Sequence, residues 1–250
     1  MAYLLFFAVI YPRAKSAKKF SANTRTWHGI CYSYGMERAT AEKPITFPLA
    51  ACAIGQAVTP AAAKAEVVRK SLHFLIALSP GMALVSVPFA AFSLLAGVLA
   101  YMVMETLRVS GVTVPVVSAL TRMALRERDR GCFVFGPVTL GLGAMLALLM
   151  FPLPVATAGI FALAFGDGFA SLAGKLFGRI RPAFLFGKSV EGSFACFAAT
   201  GLSVYLVSQS HMVALVAAFV ATVIEALPLG DSDNVILPLV VGIAVQWVLI

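Results

Sequence analysis

Long uncharged apolar blocks alternate with short polar breaks along this chain, and the apolar residues do not follow amphipathic spacing. Blocks such as 89–104, 133–150 and 193–207 contain no charged residue. Apolar blocks of about 17–25 residues can cross a hydrocarbon core of roughly 30 Å. The pattern predicts an all-α fold, a polytopic transmembrane helix bundle with about seven spans. These spans are predicted to begin near Ser71, Phe89, Phe133, Pro154, Ser193, Met212 and Val235.

The polar breaks predict which side of the membrane each connection occupies. Two connections are long, 106–132 and 166–192, and the others are brief. With alternating crossings, every charged residue after Ala61 falls on the same face. Enrichment of Lys and Arg at the cytoplasmic side explains the basic residues, but acidic residues contribute little to orientation. The acidic residues therefore indicate a second cause, an active site at the cytoplasmic face.

Composition agrees with a membrane protein. Hydrophobic residues make up 60% of the chain and charged residues 12%, against about 25% charged residues in soluble domains. The net charge of +8 is explained by basic helix ends near anionic lipid, so nucleic acid is not an expected partner. Residues 1–60 lack the regular pattern and are interpreted as a poorly structured or interfacial extension, with 61–250 as the functional membrane domain.

Asp167 is the first candidate for chemistry, because it ends an apolar block between Gly166 and Gly168. A charge at membrane depth costs roughly 2.5–3.5 kcal/mol on insertion scales, so it is usually paired or functional. The flanking glycines let the backbone approach a bound phosphate closely. The alternative is an ordinary helix N-cap at Asp167.

A glycine-rich stretch with four cations follows Asp167. Ala170, Gly174 and Gly178 recur at every fourth position, which is typical of closely packed helices. The cations that flank this stripe and that can hold a polyphosphate are Lys175, Arg179, Arg181 and Lys188. The alternative is a positively charged cytoplasmic loop. The sequence is not a P-loop, because Pro182 stands where that motif requires glycine.

A group of oxygen ligands lies near the C-terminus. Glu225 falls just inside the predicted membrane boundary, and Asp231, Asp233 and Asn234 follow it. Mg²⁺ typically binds one or two carboxylates together with phosphate oxygens and water. The alternative is that Asp233 or Asn234 caps the last helix.

Two further charged groups lie near the first two spans. Arg69, Lys70 and His73 share one helical face, and Glu105 with Arg108 repeats an i, i+3 pair. We treat them as supporting residues, with mutual neutralisation at the interface as the alternative. A lone histidine such as His73 is more often structural than catalytic.

Together these residues resemble the polyprenol kinase family, which includes dolichol kinase, phytol kinase and the CTP-dependent diacylglycerol kinase. The resemblance covers 61–250. It rests on three groups of residues: Gly166-Asp167-Gly168 with Ala170, Gly174 and Gly178; Lys188-Ser189-Val190-Glu191-Gly192-Ser193; and Glu225 with Asp233, Asn234 and Pro238.

The resemblance implies phosphorylation of a lipid hydroxyl by CTP or another nucleoside triphosphate. It implies that Asp167, Glu191, Glu225 and Lys188 are catalytic and that Asp167, Asp231 and Asp233 hold Mg²⁺. Either Glu191 or Glu225 would activate the lipid hydroxyl. The implied nucleotide-binding residues are Gly166, Gly168, Gly174, Lys175, Gly178, Arg179, Lys188, Ser189 and Gly192.

Two other functions remain open. One is a phosphatidate cytidylyltransferase, but its longer G-H-G-G-x-x-D-R-x-D signature is not matched at 231–234. The other is a transporter, which would place its charges near the membrane midplane between repeated halves. The lipid alcohol, CTP or ATP as donor, and the oligomeric state are open as well. The expected location is the cytoplasmic or inner membrane.

Overall fold

The computed structural model describes residues 53–54, 60–112, 123 and 133–249. Most of the predicted extension at 1–60 and part of the connection at 106–132 therefore lie outside the described residues. The boundary between that extension and the membrane domain stays a prediction.

The described part of the chain is mostly helical. Its first half contains α1 (Pro60–Ile76), α2 (Ser79–Val85), α3 (Val87–Val109), α4 (Gly136–Met150) and α5 (Leu153–Phe161). Its second half contains a π-helical segment (Ala162–Asp167), α6 (Gly168–Leu176), α7 (Val190–Ser208), α8 (His211–Ala226) and α9 (Asp233–Leu249). Single 3₁₀ turns lie at Ala183–Leu185 and Gly230–Ser232. The all-α prediction missed one small feature, an antiparallel pairing of β1 (Ala53–Ile54) with β2 (Ile180–Arg181).

Four helical stretches in the described ranges are long and apolar enough to cross a membrane: Val87–Val109, Leu153–Leu176, Val190–Ser208 and Gly230–Leu249. Two shorter apolar helices, Gly136–Met150 and His211–Ala226, accompany them. The prediction of about seven spans is therefore supported only in part. The span predicted from Ser71 is interrupted, since α1 ends at Ile76 and α2 begins with Ser79 and Pro80.

Large apolar side chains cover much of the outer surface. Leu84 is 78% exposed, Phe92 69%, Phe219 65% and Trp247 76%. Soluble monomers rarely expose extensive apolar patches of this kind. This surface and the four long apolar helices are what a membrane protein requires.

The stretch Leu153–Leu176 passes through the middle of the bundle, and most of its length is buried. Within it, the π-helical segment is covered by α7, α8 and α9. Small side chains allow this close approach, including Ala162, Ala164, Ala217 and Ala221, all fully buried. The central stretch therefore holds Asp167 in a fixed position.

Two glycines let α9 approach α4 and α5 at backbone distance. A Cβ at Gly143 would overlap the carbonyl oxygen of Asn234, and one at Gly159 would overlap that of Pro238. Glycine at such crossings is typical of helices that pack in a membrane. The start of α9, which carries Asp233 and Asn234, is thereby held against α4.

We expect Gly143→Ala to lower the free energy of unfolding by about 1–3 kcal/mol, because the added methyl group must push two backbones apart. Thermal unfolding in detergent measures this change. Gly81→Ala is the matched control, since a Cβ at Gly81 meets nothing within 4 Å. Equal melting temperatures for the two variants would contradict the packing argument.

Candidate functional site

Asp167 lies at the end of the π-helical segment and is buried against α1. Its Oδ2 is 2.5 Å from Lys70 Nζ and 3.0 Å from His73 Nδ1. The Lys70 contact is a hydrogen bond, whereas His73 Nδ1 lacks hydrogen-bond alignment to any partner. Short π-helical segments occur often at functional sites. The structure thus brings Asp167 together with Lys70 and His73, which lie more than 90 residues earlier in the sequence.

Glu66 forms a second buried ion-pair centre one turn before Lys70. Its carboxylate accepts hydrogen bonds from Arg69 and from Lys175 of α6. Burial alone raises the pKa of Glu66, but the positive charges of Arg69, Lys175 and Lys70 outweigh it and lower that pKa. The carboxylate therefore stays ionised at neutral pH and links α1 to α6.

Lys188 and Glu225 join the loop after α6 to the end of α8. Lys188 Nζ lies 2.9 Å from Glu225 Oε1 and also donates to the backbone carbonyl of Glu225. The Glu225 side chain is buried, whereas about a third of the Lys188 side chain is exposed. Ser189 caps α7, because its Oγ accepts a hydrogen bond from the Gly192 amide at 3.1 Å.

Arg181 holds the loop between α6 and α7 in a compact conformation. Its guanidinium donates to the carbonyl oxygen of Gly187 at 2.7 Å and to that of Gly174 at 2.8 Å. These two bonds bring the turn at 187–189 close to the C-terminal end of α6. A cationic rim results, made of Lys175, Arg181 and Lys188.

Two adjoining cavities meet at Lys70 and Asp167. The first, of about 560 Å³, is mostly apolar and lies along α1, α3 and α4. The second, of about 250 Å³, is lined by the cationic rim together with polar residues such as Ser171, Ser189 and Glu225. Both cavities are lined by Glu66, Lys70, Asp167, Gly230 and Asp233. A polar compartment and an apolar compartment thus share one charged wall.

Most of the predicted charged residues lie at this wall or rim. The predicted site residues that line only the polar cavity are Lys175, Lys188, Ser189, Gly174, Gly192 and Glu225. Those that line only the apolar cavity are Arg69, His73, Asp231 and Asn234. Asp167, Lys70 and Asp233 line both.

Glu191 and Arg179, by contrast, line neither cavity. The Glu191 carboxylate accepts hydrogen bonds from the backbone amides of Arg179, at 2.9 Å, and Ile180, at 3.2 Å. Glu191 therefore holds the loop after α6, and the structure does not bring it to the cavities with the other predicted catalytic residues. The Arg179 side chain is exposed outside the rim.

Three of the predicted nucleotide-binding glycines are explained by packing. A Cβ at Gly166 would overlap Thr200 Oγ1, one at Gly168 would lie 2.7 Å from Phe74, and one at Gly178 would overlap the Gly174 carbonyl. None of these three glycines lines a cavity. Ala170 and Gly174 of the small-residue stripe lie against α7, because a Cβ at Gly192 would lie 2.8 Å from the Ala170 carbonyl oxygen and 3.3 Å from Gly174 Cα, while Gly174 also lines the polar cavity.

The predicted magnesium ligands lie near one another without forming a complete protein site. Asp167, Asp231 and Asp233 all line the charged end of the apolar cavity. Across 53–54, 60–112, 123 and 133–249, however, no group of three His, Cys, Asp or Glu residues is arranged to hold a metal ion. Mg²⁺ commonly takes one or two carboxylates, with phosphate and water as its other ligands. Asp167 and Asp233, at the shared wall, fit that smaller role.

Glu105 and Arg108 stabilise the fold away from the cavities. Arg108 donates two hydrogen bonds of 2.7 Å to the fully buried Glu105, which also accepts from the Val134 amide at 2.9 Å. These bonds fasten the end of α3 to the residues that precede α4. Asn234 has a similar role, because its Nδ2 donates to Thr139 Oγ1 of α4 at 2.9 Å.

We expect Glu105→Ala to lower the free energy of unfolding by about 3 kcal/mol, since removing one partner of a buried ion pair leaves the other uncompensated. Thermal unfolding measures the loss, with Leu107→Ala at a neighbouring exposed position as the control. Ligand affinity at the two cavities should not change, and a selective loss of it would contradict this structural role.

The sequence pattern placed Arg181 among the cations that can hold a polyphosphate, but it gave Glu66 no role in the site. Glu66 shares a helical face with Lys70 and His73, and this periodicity was the available signal. Arg181 stands among the cations of the glycine-rich stretch, but only the folded loop distinguishes it from Arg179. The apolar cavity had no sequence signal, because its lining resembles any membrane helix.

Comparison of this chain with protein-family models, curated proteins and solved structures returned no match.

Proposed function

We propose that this protein transfers the terminal phosphoryl group of a nucleoside triphosphate to the hydroxyl group of a membrane lipid alcohol. The observation that carries the proposal is the pair of cavities with opposite character that share the wall at Lys70 and Asp167. A kinase for such substrates needs a polar compartment for the nucleotide, an apolar one for the tail, and charged groups between them. CTP is the proposed donor on the family resemblance.

The polar cavity is suited to polyphosphate. Lys175, Arg181 and Lys188 bring three cations to its lining, next to the capped N-terminus of α7 at Ser189. Helix N-termini and cationic side chains both favour phosphate. We assign Lys188 to the phosphates nearest the reaction, since its Glu225 partner fixes the ammonium group.

Phosphoryl transfer depends mainly on positioning and on neutralising charge. The lipid hydroxyl would lie at the shared wall, where its oxygen attacks the terminal phosphorus. A new O–P bond forms, the bond from that phosphorus to the bridging oxygen breaks, and the nucleoside diphosphate leaves. The hydroxyl proton would pass to His73 or Asp167, which lie 3.0 Å apart and both line the apolar cavity.

Asp167 and Asp233 would hold Mg²⁺ together with phosphate oxygens. The ion, when bound, neutralises charge on the transferring phosphoryl group. Lys70 Nζ, 2.5 Å from Asp167 Oδ2, adds a positive charge at the same wall.

We further propose that about seven spans cross the membrane and that the charged wall faces the cytoplasm. The Lys188–Glu225 pair supports a charged layer at one membrane face, because it joins the start of α7 to the end of α8. Positive-inside bias favours the cytoplasmic side for Lys175, Arg181 and Lys188.

The test is incubation of the purified protein in lipid micelles with CTP or ATP, Mg²⁺ and a panel of lipid alcohols, followed by product identification. Formation of a lipid phosphate and a nucleoside diphosphate supports the proposal. Release of pyrophosphate with a phosphatidic acid acceptor would instead show a cytidylyltransferase. No turnover, with solute uptake into vesicles, would show a carrier.

A further inference from the structure

The apolar cavity separates α1 from α3. Helix α3 packs on α2 and α4, whereas α1 packs on α6, the π-helical segment and α4. The lining of the cavity includes Leu75 and Leu78, which are 61% and 62% exposed on the outer apolar surface. The cavity is therefore a groove that is continuous with the membrane-facing surface.

One face of α3 forms a wall of this groove. Ser93, Gly97 and Tyr101 lie on that face at four-residue spacing and all line the cavity. At a rise of 1.5 Å per residue, the wall from Ser93 to Tyr101 is roughly 12 Å long. Tyr101 lies toward the charged end, since its hydroxyl donates to the carbonyl of Val134, and Asn234, next to Asp233, donates to the carbonyl of nearby Gly136.

Gly97, at the middle of this wall, leaves the groove wide. Gly97 is exposed, and a Cβ added there would meet nothing within 4 Å. Packing therefore does not require glycine at this position, in contrast to Gly141 in the same lining, where a Cβ would overlap Val98. Glycine in a helix interior costs roughly 0.5–1 kcal/mol relative to alanine. A glycine that packing does not require is better explained by what the groove admits.

The occupant that fits is one hydrocarbon chain with a small polar head. The lining of the groove is mostly apolar, and its charged part includes Lys70, His73 and Asp167. A soluble molecule would leave the apolar part unfilled, and a protein helix would bring no polar head to the charged end. A single hydrocarbon chain would fill the apolar part, and its polar head would lie at the charged residues.

We propose that Gly97 is the specificity-determining residue of the groove, because its missing side chain admits a long hydrocarbon chain from the bilayer between α1 and α3. This inference rests on the proposed lipid kinase function and adds the position that selects the tail. A bulky residue at 97 narrows the groove midway, so short tails still reach the charged wall and long tails do not.

The experiment compares wild-type protein, Gly97→Phe and the control Gly81→Phe. Gly81 lies on α2, has open space around it and lines neither cavity. Phosphorylation of isoprenoid and linear alcohols of increasing length is measured for each. We expect Gly97→Phe to lower kcat/KM for the longest alcohols by at least about tenfold relative to the shortest, as steric mismatch in an apolar pocket commonly does. Gly81→Phe should follow the wild type.

A second readout does not depend on activity. A long-chain alcohol with a diazirine in its tail is photo-crosslinked in micelles, and the labelled peptides are identified. We expect label on 72–98 in the wild type and in Gly81→Phe, and a clear loss of that label in Gly97→Phe. An unchanged length profile in Gly97→Phe, or unchanged labelling, would overturn the inference while leaving the kinase proposal intact. Absence of any alcohol phosphorylation by the wild type would overturn the kinase proposal, and the labelling would then decide the role of Gly97.

Discussion

We expect Asp167→Asn to lower kcat for lipid phosphorylation by about 10²–10³-fold, the loss typical when one preorganised electrostatic group is removed from a reaction centre. Asparagine keeps the size of the side chain but loses the charge that faces Lys70 and His73. It also removes a carboxylate proposed to bind Mg²⁺. The measurement is the initial rate with CTP and a long-chain alcohol at saturating Mg²⁺.

A loss of activity in Asp167→Asn must be distinguished from a loss of folding stability. Asp167→Asn leaves the buried Lys70 ammonium without its partner, a change that costs about 3–5 kcal/mol in buried pairs. The double variant Lys70→Met with Asp167→Asn removes both charges and should recover most of the melting temperature. Both variants should show the same loss of kcat. Recovery of activity together with stability in the double variant would assign Asp167 a structural role only.

The second large effect is expected at Lys188. Replacing Lys188 by methionine should raise KM for the nucleotide by about tenfold to a hundredfold, because hydrogen bonds to charged groups contribute about 1.5–3 kcal/mol. KM for the lipid alcohol should change little, since Lys188 lines only the polar cavity. Steady-state kinetics with each substrate varied in turn measures the two constants.

Two further variants test whether the change in nucleotide KM comes from Lys188 itself. Lys64→Met removes an exposed lysine of α1 that lines neither cavity, and its nucleotide KM should match the wild type. Lys188→Met combined with Glu225→Gln removes the carboxylate that the single variant leaves buried without its ammonium partner. If this double variant restores nucleotide affinity, the lysine acts through Glu225 and not on phosphate.

The sequence predicted the charged part of the site better than its apolar part. Asp167, Lys188 and Glu225 stand out because a charge at the end of an apolar block is costly and must be explained. The residues that line the groove, such as Leu94 and Leu140, are indistinguishable in sequence from side chains that face lipid. Only the positions of α1, α3 and α4 show that they enclose a cavity.

Glycines and loop residues were the least predictable. Gly166 and Gly168 flank Asp167, so closeness to phosphate was a reasonable interpretation, yet each is packed against a side chain of the bundle. Glu191 occupies a motif position, but its oxygens are used by backbone amides of the loop. Such outcomes depend on three-dimensional neighbours that spacing along the chain does not encode.

The π-helical segment has a consequence for how this protein can vary. Each residue of a regular helix advances the chain by about 100° around its axis, so a one-residue insertion or deletion within Ala162–Asp167 would rotate everything that follows. Asp167 would turn away from Lys70, and Lys175 of α6 would turn away from Glu66 of α1. The chain can therefore accept substitutions along this stretch more readily than a change in its length, because the rotational phase between α5 and α6 aligns the charged wall.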